Sequence, residues 1–171
     1  HVGSLAVRRP DGKLANRGYL IAPDGQIRAR YDKIHMFDVN LPNGEAFLGS
    51  ERFEAGHDAV VADLPWGRLG ITICYDLRFP GLYRTLAQAG AEILTMPSAF
   101  TQQAGEAHWH TLLRARAIET GSFVLAAAQA GRHDSGRTTY GHSPVVSPWG
   151  EAPAEGGVEP GVVLADIDVR E

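Results

Sequence analysis

Thiol chemistry in this chain rests on one residue. Cys74 is the only cysteine among 171 residues, so an internal disulfide is excluded and nothing in the thiol content points to an oxidising compartment. Long apolar runs are missing too: none approaches the roughly 18 residues that span a bilayer, and no stretch has the layout of a signal peptide. Basic clusters are absent. With 16 Lys and Arg against 20 Asp and Glu the formal charge is −4, which argues against a nucleic-acid partner. Metal-ligand groupings are sparse: His108 and His110 stand two apart at a predicted helix start, and no third ligand follows at a suitable spacing, so no zinc site is expected. These absences leave the cytoplasm as the expected compartment and small molecules as the expected partners. What remains is ordinary for a globular chain, 44% hydrophobic and 21% charged, with enough length for one sizeable core and one domain over residues 1–171. The chain opens at His1, inside an apparent strand from Val2 to Val7 and without an initiator methionine, so a fragment is expected.

The segment from Gly67 to Phe100 organises the rest. Branched apolar residues at every second position from Leu69 to Ile73 predict a strand with one face in a core, and Cys74 follows directly. Leu82, Leu86 and Ala89 recur at helical spacing, Gly90 closes that run, and Glu92 to Pro97 reads as a returning strand. Asp76 and Pro80 are the breakers between strand and helix. A lone cysteine is by composition a small buried hydrophobe. One placed where a buried strand turns sharply, with polar Tyr75, Asp76 and Arg78 behind it, is also a seat for a nucleophile. Spacing leaves both readings open. A free thiol with a pKa of about 8.5 needs a nearby base or cation to react as thiolate at neutral pH.

Four stretches share a Pro-x-Gly centre: Pro10-Asp11-Gly12, Pro23-Asp24-Gly25, Pro65-Trp66-Gly67 and Pro148-Trp149-Gly150. Proline fixes the first turn torsion and glycine takes the positive φ, so each predicts a hairpin tip. Residues 31–58 read as a long irregular loop of the kind that carries function, and this loop holds Lys33. A lysine is by base rate a surface charge, yet Ile34, Met36 and Phe37 beside it are apolar. After a polar stretch from Thr101 to Ala107, the residues Trp109, Leu112, Leu113 and Ala117 mark one face of a helix closed by Gly121. Arg114, Arg116 and Glu119 on it read as an ion-paired or solvated face rather than as substrate contacts. Residues 122–131 predict a buried strand, and residues 161–169 a closing one.

The blocks ICYDLRFP, PSAF, AHW, RARAIE, YGHS and PWGE, in this order and across nearly the whole chain, resemble the nitrilase superfamily of carbon-nitrogen hydrolases. Within it, KIHMFD, LLRARAIE, AAAQ and GRH are most similar to the nitrilase-like branch that hydrolyses deaminated glutathione, and less so to its omega-amidase sister. The resemblance implies an α+β fold, a four-layer αββα sandwich, here N-terminally truncated and therefore one incomplete domain. It implies homo-oligomers, dimers or larger. Cys74 corresponds to the nucleophile and Lys33 to the lysine of a Glu-Lys-Cys triad, with Tyr75, Arg78, Ser98 and Phe100 as oxyanion and substrate-binding residues. The reaction implied is hydrolysis of a small linear ω-amide through a thioester on the cysteine, with ammonia released and neither metal nor organic cofactor needed.

Two positions depart from the family pattern. Gly49 falls where relatives carry a second, substrate-orienting glutamate, with Glu45 and Glu51 as nearby substitutes, and Gly81 replaces a glutamate that commonly follows Phe-Pro. No glutamate here matches the first member of the triad, so the isolated chain is expected to be inactive. A non-catalytic homologue that binds a small amide or carboxylate is the alternative, and a papain-like pairing of Cys74 with His142 is a third reading.

Overall fold

Local turn chemistry sets much of the architecture. The computed structural model describes the backbone of residues 1–40, 44 and 46–170, and the side chains of these apart from Val2 and Phe47. In chain order the strands are β1 (Val2–Arg8), β2 (Leu14–Ile21), β3 (Ile27–Asp32), β4 (Asp38–Asn40), β5 (Ala46–Leu48), β6 (Val60–Leu64), β7 (Gly67–Ile71), β8 (Ile93–Thr95), β9 (Phe123–Leu125), β10 (Ala130–Arg132), β11 (Thr138–Tyr140), β12 (Ser143–Val146) and β13 (Ala154–Gly156). The helices are α1 (Gly49–Arg52), α2 (Pro80–Gln88) and α3 (Gln102–Thr120), and a 3₁₀ turn covers Cys74–Arg78.

All four Pro-x-Gly centres join antiparallel neighbours: β1 to β2, β2 to β3, β6 to β7 and β12 to β13. At the first, Arg9 N–H donates to Lys13 O at 2.8 Å and Gly12 takes φ +84°. The loop expected over residues 31–58 is more ordered than its composition implies. Its first residues finish β3, and within it β4 pairs antiparallel with β5 ahead of the single turn of α1.

The larger sheet has six strands in the order β13-β12-β9-β8-β7-β6, with β7, β8 and β9 parallel at its centre. Parallel neighbours need crossovers, and α2 and α3 supply them on one face. Leu82, Tyr83 and Leu86 of α2 and Trp109, Leu113 and Ala117 of α3 are buried there. The helix approaches closely because β7 carries Gly70, where a Cβ would stand 2.8 Å from Leu94 Cδ2 and 3.3 Å from Leu86 Cδ1. On the opposite face lies the three-stranded sheet β1-β2-β3. Its inward residues Leu20 and Tyr31 are buried in the core, and a Cβ at Gly18 would meet Ile71 and Ile73 at 3.6 and 3.7 Å. Helices, large sheet and small sheet make three successive layers of the expected α+β sandwich. Burying side chains of this size on both faces of β7 and β8 stabilises by about 1.5–3 kcal/mol each.

Three elements differ from the sequence reading. No strand forms over residues 161–169: Ile167 and Val169 pack on the core while Val162 and Leu164 are more than 80% exposed. Alternation alone makes no strand, because a ladder needs a partner edge, and β6 and β13 end the large sheet without this segment. The long helix begins earlier, at Gln102, since Thr101 Oγ1 accepts from Ala104 N–H at 3.4 Å and caps it. That start puts His108 and His110 in the body of α3. The strand expected over residues 122–131 shortens to β9, after which Ala126 N–H turns to Pro144 O and Ala128 bridges to Ser98.

Candidate active site

Beyond Ile71 the chain continues along the edge of β8. Thr72 N–H donates to Thr95 O, and Cys74 N–H donates to Pro97 O, both at 3.0 Å. The backbone then reverses. Cys74 adopts φ +50°, left-handed space that an L-residue enters at a cost of roughly 1–2 kcal/mol, and the 3₁₀ turn starts from it. The thiol therefore stands at the C-terminal end of the parallel strands, where a crevice opens in an α/β sheet. Tyr75 N–H, in the first turn of the 3₁₀ segment, has no backbone acceptor among the described residues.

A cavity of about 1270 Å³ opens there, and Lys33, Cys74, Tyr75, Arg78, Ser98 and Phe100 all line it. Lys33 is only 6% exposed, which answers the surface alternative for this residue. Its backbone is clamped on both sides: Lys33 N–H donates to Asn16 O at 2.8 Å and Gly56 N–H donates to Lys33 O at 2.9 Å. Ser98 is fixed by its N–H to Ala127 O at 2.8 Å and by Gln129 N–H to its own carbonyl at 2.9 Å. Phe100 leans on Trp109 with ring centroids 4.8 Å apart. The Arg78 guanidinium lies 5.6 Å from the Phe100 ring centroid and 5.9 Å from that of Tyr75, and Nη2 donates to His108 Nδ1 at 3.2 Å.

Several contributors were not visible in the sequence. Arg137, on the hairpin β10–β11, lines the cavity and donates through Nη2 to Ala99 O. Among the described lining residues, Lys33, Arg52, Arg78 and Arg137 are basic while Glu51 and Glu159 are acidic, so the cavity favours an anion. Asn16 presents a buried Oδ1 on this wall without a hydrogen-bond partner. Arg116 reaches from α3 under the 3₁₀ turn, donating from Nε to Leu77 O at 2.9 Å, and its Nη1 pairs with Glu119 at 2.7 Å. Asp76, read from sequence as a turn breaker, is fully buried and accepts from Tyr31, His35 and Ile73. Tyr31 and His35 lie far away in sequence, which is why spacing gave no sign of them.

Other candidates part company with the site. His142 bonds Tyr140 O through Nδ1 at 2.8 Å, stacks on the Tyr140 ring and does not line the cavity, so the Cys74–His142 pairing has no geometric basis. His110 pairs with Glu155 at 2.8 Å while His108 meets Arg78, and among the described residues no group of three or more His, Cys, Asp or Glu could hold a metal. Gly49 and Glu51 do line the cavity. A Cβ at Gly49 would stand 3.1 Å from Phe37 N and 3.2 Å from Phe37 O, so a glutamate there is crowded by backbone. Glu45 lies outside the described residues. Among the described residues no helix is long and apolar enough to cross a membrane.

A family model for carbon-nitrogen hydrolases matches residues 2–171. The chain is 46% identical over 159 residues to the deaminated glutathione amidase of Synechocystis sp. (strain PCC 6803 / GT-S), covering 92% of this chain and 58% of that protein. Among solved structures, the C. elegans NitFhit protein superposes with a TM-score of 0.92 at 44% identity, over 99% of this chain and 42% of that one. A mutant amidase from Nesterenkonia sp. AN1, carrying acrylamide added at its active site cysteine, superposes with a TM-score of 0.82 at 28% identity, over 97% of this chain and 63% of that one. The chain thus spans about half the length of the curated relatives it matches.

Proposed function

This chain belongs to the carbon-nitrogen hydrolase family, and from that premise we propose that it is an amidase domain, incomplete over residues 1–171, in which Cys74 is the nucleophile and Lys33 its cationic partner. The observation that carries this reading is the meeting of a buried lysine and a left-handed cysteine on the wall of one cavity. The Cys74 thiolate attacks the carbonyl carbon of a small linear ω-amide. The tetrahedral oxyanion is held by the Lys33 ammonium and Tyr75 N–H, and the thiol proton leaves with the amine as ammonia. A thioester remains, and water hydrolyses it to the carboxylic acid and regenerates the thiol. A glutamate base would move these protons. Phe100 and Ser98 shape the acyl pocket, and Arg78 reads a carboxylate on the substrate, in keeping with the surplus of basic lining residues. The same resemblance supports a deaminated-glutathione-like substrate, a homo-oligomer and a cytoplasmic address.

The test is ammonia release from short ω-amides with and without a distal carboxylate, together with mass spectrometry of the acyl adduct on Cys74. Turnover that favours the acidic amides, with a trapped adduct, supports the reading. A second reading, a non-catalytic homologue that binds a small amide or carboxylate, is favoured by Gly49 on the cavity wall. Saturable binding of the acidic amide to the full-length protein with neither adduct nor ammonia would establish it instead.

A further inference from the structure

Asp76 is the one fully buried carboxylate among the described residues, and it is saturated with donors from two directions. From its own turn, Ile73 N–H reaches Oδ2 at 2.9 Å. From the strand and loop that carry Lys33, Tyr31 Oη donates to Oδ2 at 2.7 Å, and His35 donates to Oδ1 from its backbone N–H at 3.1 Å and from Nδ1 at 2.7 Å. A carboxylate withdrawn from water persists where donors surround it, and each oxygen here takes two. The donors Tyr31 and His35 stand two residues before and two after Lys33, while Ile73 and Asp76 stand on either side of Cys74. The His35 ring is further held by parallel stacking on Phe79 at 3.7 Å, just past the same turn.

We infer that Asp76 is a positioning residue that fixes the separation of Lys33 from Cys74, by tying the flanks of the lysine to the flank of the cysteine through one buried carboxylate. It touches no reacting atom. Its effect on chemistry passes through Lys33, whose neighbours two residues to either side it holds by the Tyr31 hydroxyl and by the His35 N–H and ring, and the role rests on the pairing of Lys33 with Cys74 proposed above. A residue serving only as a cap of the 3₁₀ turn would need Ile73 N–H alone; the bonds to Tyr31 and His35 bring in the other segment.

Because Cys74 is the only cysteine, iodoacetamide labelling of this chain reads one thiol, and it does so without a substrate. Asp76→Asn is expected to slow alkylation at pH 7 by about 3- to 10-fold and to move the pH–rate profile toward alkaline pH, as an ammonium displaced from a thiol does. Lys33→Met is expected to slow it at least as much, and the double variant no further than Lys33→Met alone. The sign is diagnostic: removing a nearby negative charge would by itself speed alkylation, so slowing reports a displaced lysine. Unchanged or faster alkylation in folded Asp76→Asn, or slowing that persists in full on the Lys33→Met background, would overturn the inference. If Asp76→Asn fails to melt cooperatively, Tyr31→Phe and His35→Gln carry the test. Each should slow alkylation less than Lys33→Met does and add nothing on that background, and no effect from either would overturn the inference. An unaltered profile in Lys33→Met would sink the pairing itself and this inference with it.

Discussion

Cys74 takes up a backbone conformation that only glycine enters freely, and the consequence is measurable apart from catalysis. Left-handed space costs an L-residue roughly 1–2 kcal/mol, of which glycine's larger unfolded-state entropy returns about 0.4–1. Cys74→Gly is therefore expected to be more stable than Cys74→Ala by roughly 0.5–1 kcal/mol in urea unfolding, and equal midpoints would show an unstrained turn. Gly49→Glu meets the opposite constraint. Its Cβ presses on the Phe37 backbone at 3.1 Å, so the variant is expected to lose roughly 1 kcal/mol, the lower end of overpacking costs, and to melt earlier. An unchanged melting temperature would mean that the 37–49 contact yields freely. Cys74 was legible because a strand pattern ends on it and breakers follow. The burial of Lys33 was not, since it depends on Asn16 and Gly56 clamping its backbone from distant positions. Asp76 was invisible as a hub for the same reason: hydrogen bonds spanning 41 and 45 residues leave no periodicity.

Among the elements, α2 has a gap in its first turn. Gly81 follows Pro80 there, nothing would lie within 4 Å of a Cβ at this position, and no acidic residue stands in that turn. Gly81→Glu adds helix propensity worth about 1 kcal/mol and a charge at the positive end of the helix dipole worth about 0.3–1. The expected result is a stabilisation of about 1–2 kcal/mol, read as a higher thermal midpoint with unchanged Cys74 alkylation; a lower midpoint would place that turn in contact with something else. Elements whose signals are local were readable, and the four Pro-x-Gly hairpins are the clearest case because two residues set each turn. Segments needing a remote partner were not. Residues 161–169 alternate as well as any strand here, yet β6 and β13 close the sheet without them. The hairpin β10–β11 was missed since three residues on each side are too few for a pattern.

For the molecule as a whole, two buried phenols set an alkaline limit. Tyr31 is pushed well above the ordinary tyrosine value by burial and then by the Asp76 charge, and Tyr83 by burial. A raised pKa means that the protonated form belongs to the fold, so this contribution is whole below about pH 10 and is lost as pH climbs beyond it. Of the five tyrosines, Tyr31 and Tyr83 are expected to yield phenolate absorbance only together with unfolding; early ionisation of all five would contradict their burial. A second outcome concerns activity. Among the described lining residues the carboxylates are Glu51 and Glu159, and neither matches the first triad glutamate, so residues 1–171 alone are expected to alkylate at Cys74 yet release no ammonia. Ammonia release lost on Cys74→Ala would locate the base within these residues. The bond from Tyr31 to Asp76 also has a meaning in time. It closes a loop spanning 45 positions, whereas the hairpins close over a few residues, so loop-closure entropy orders the hairpins first and the buried carboxylate late. Until that bond forms, Tyr31 and His35 are not tied to the turn that carries Cys74, so the lysine-bearing and cysteine-bearing walls of the cavity are joined only in the closing steps of folding.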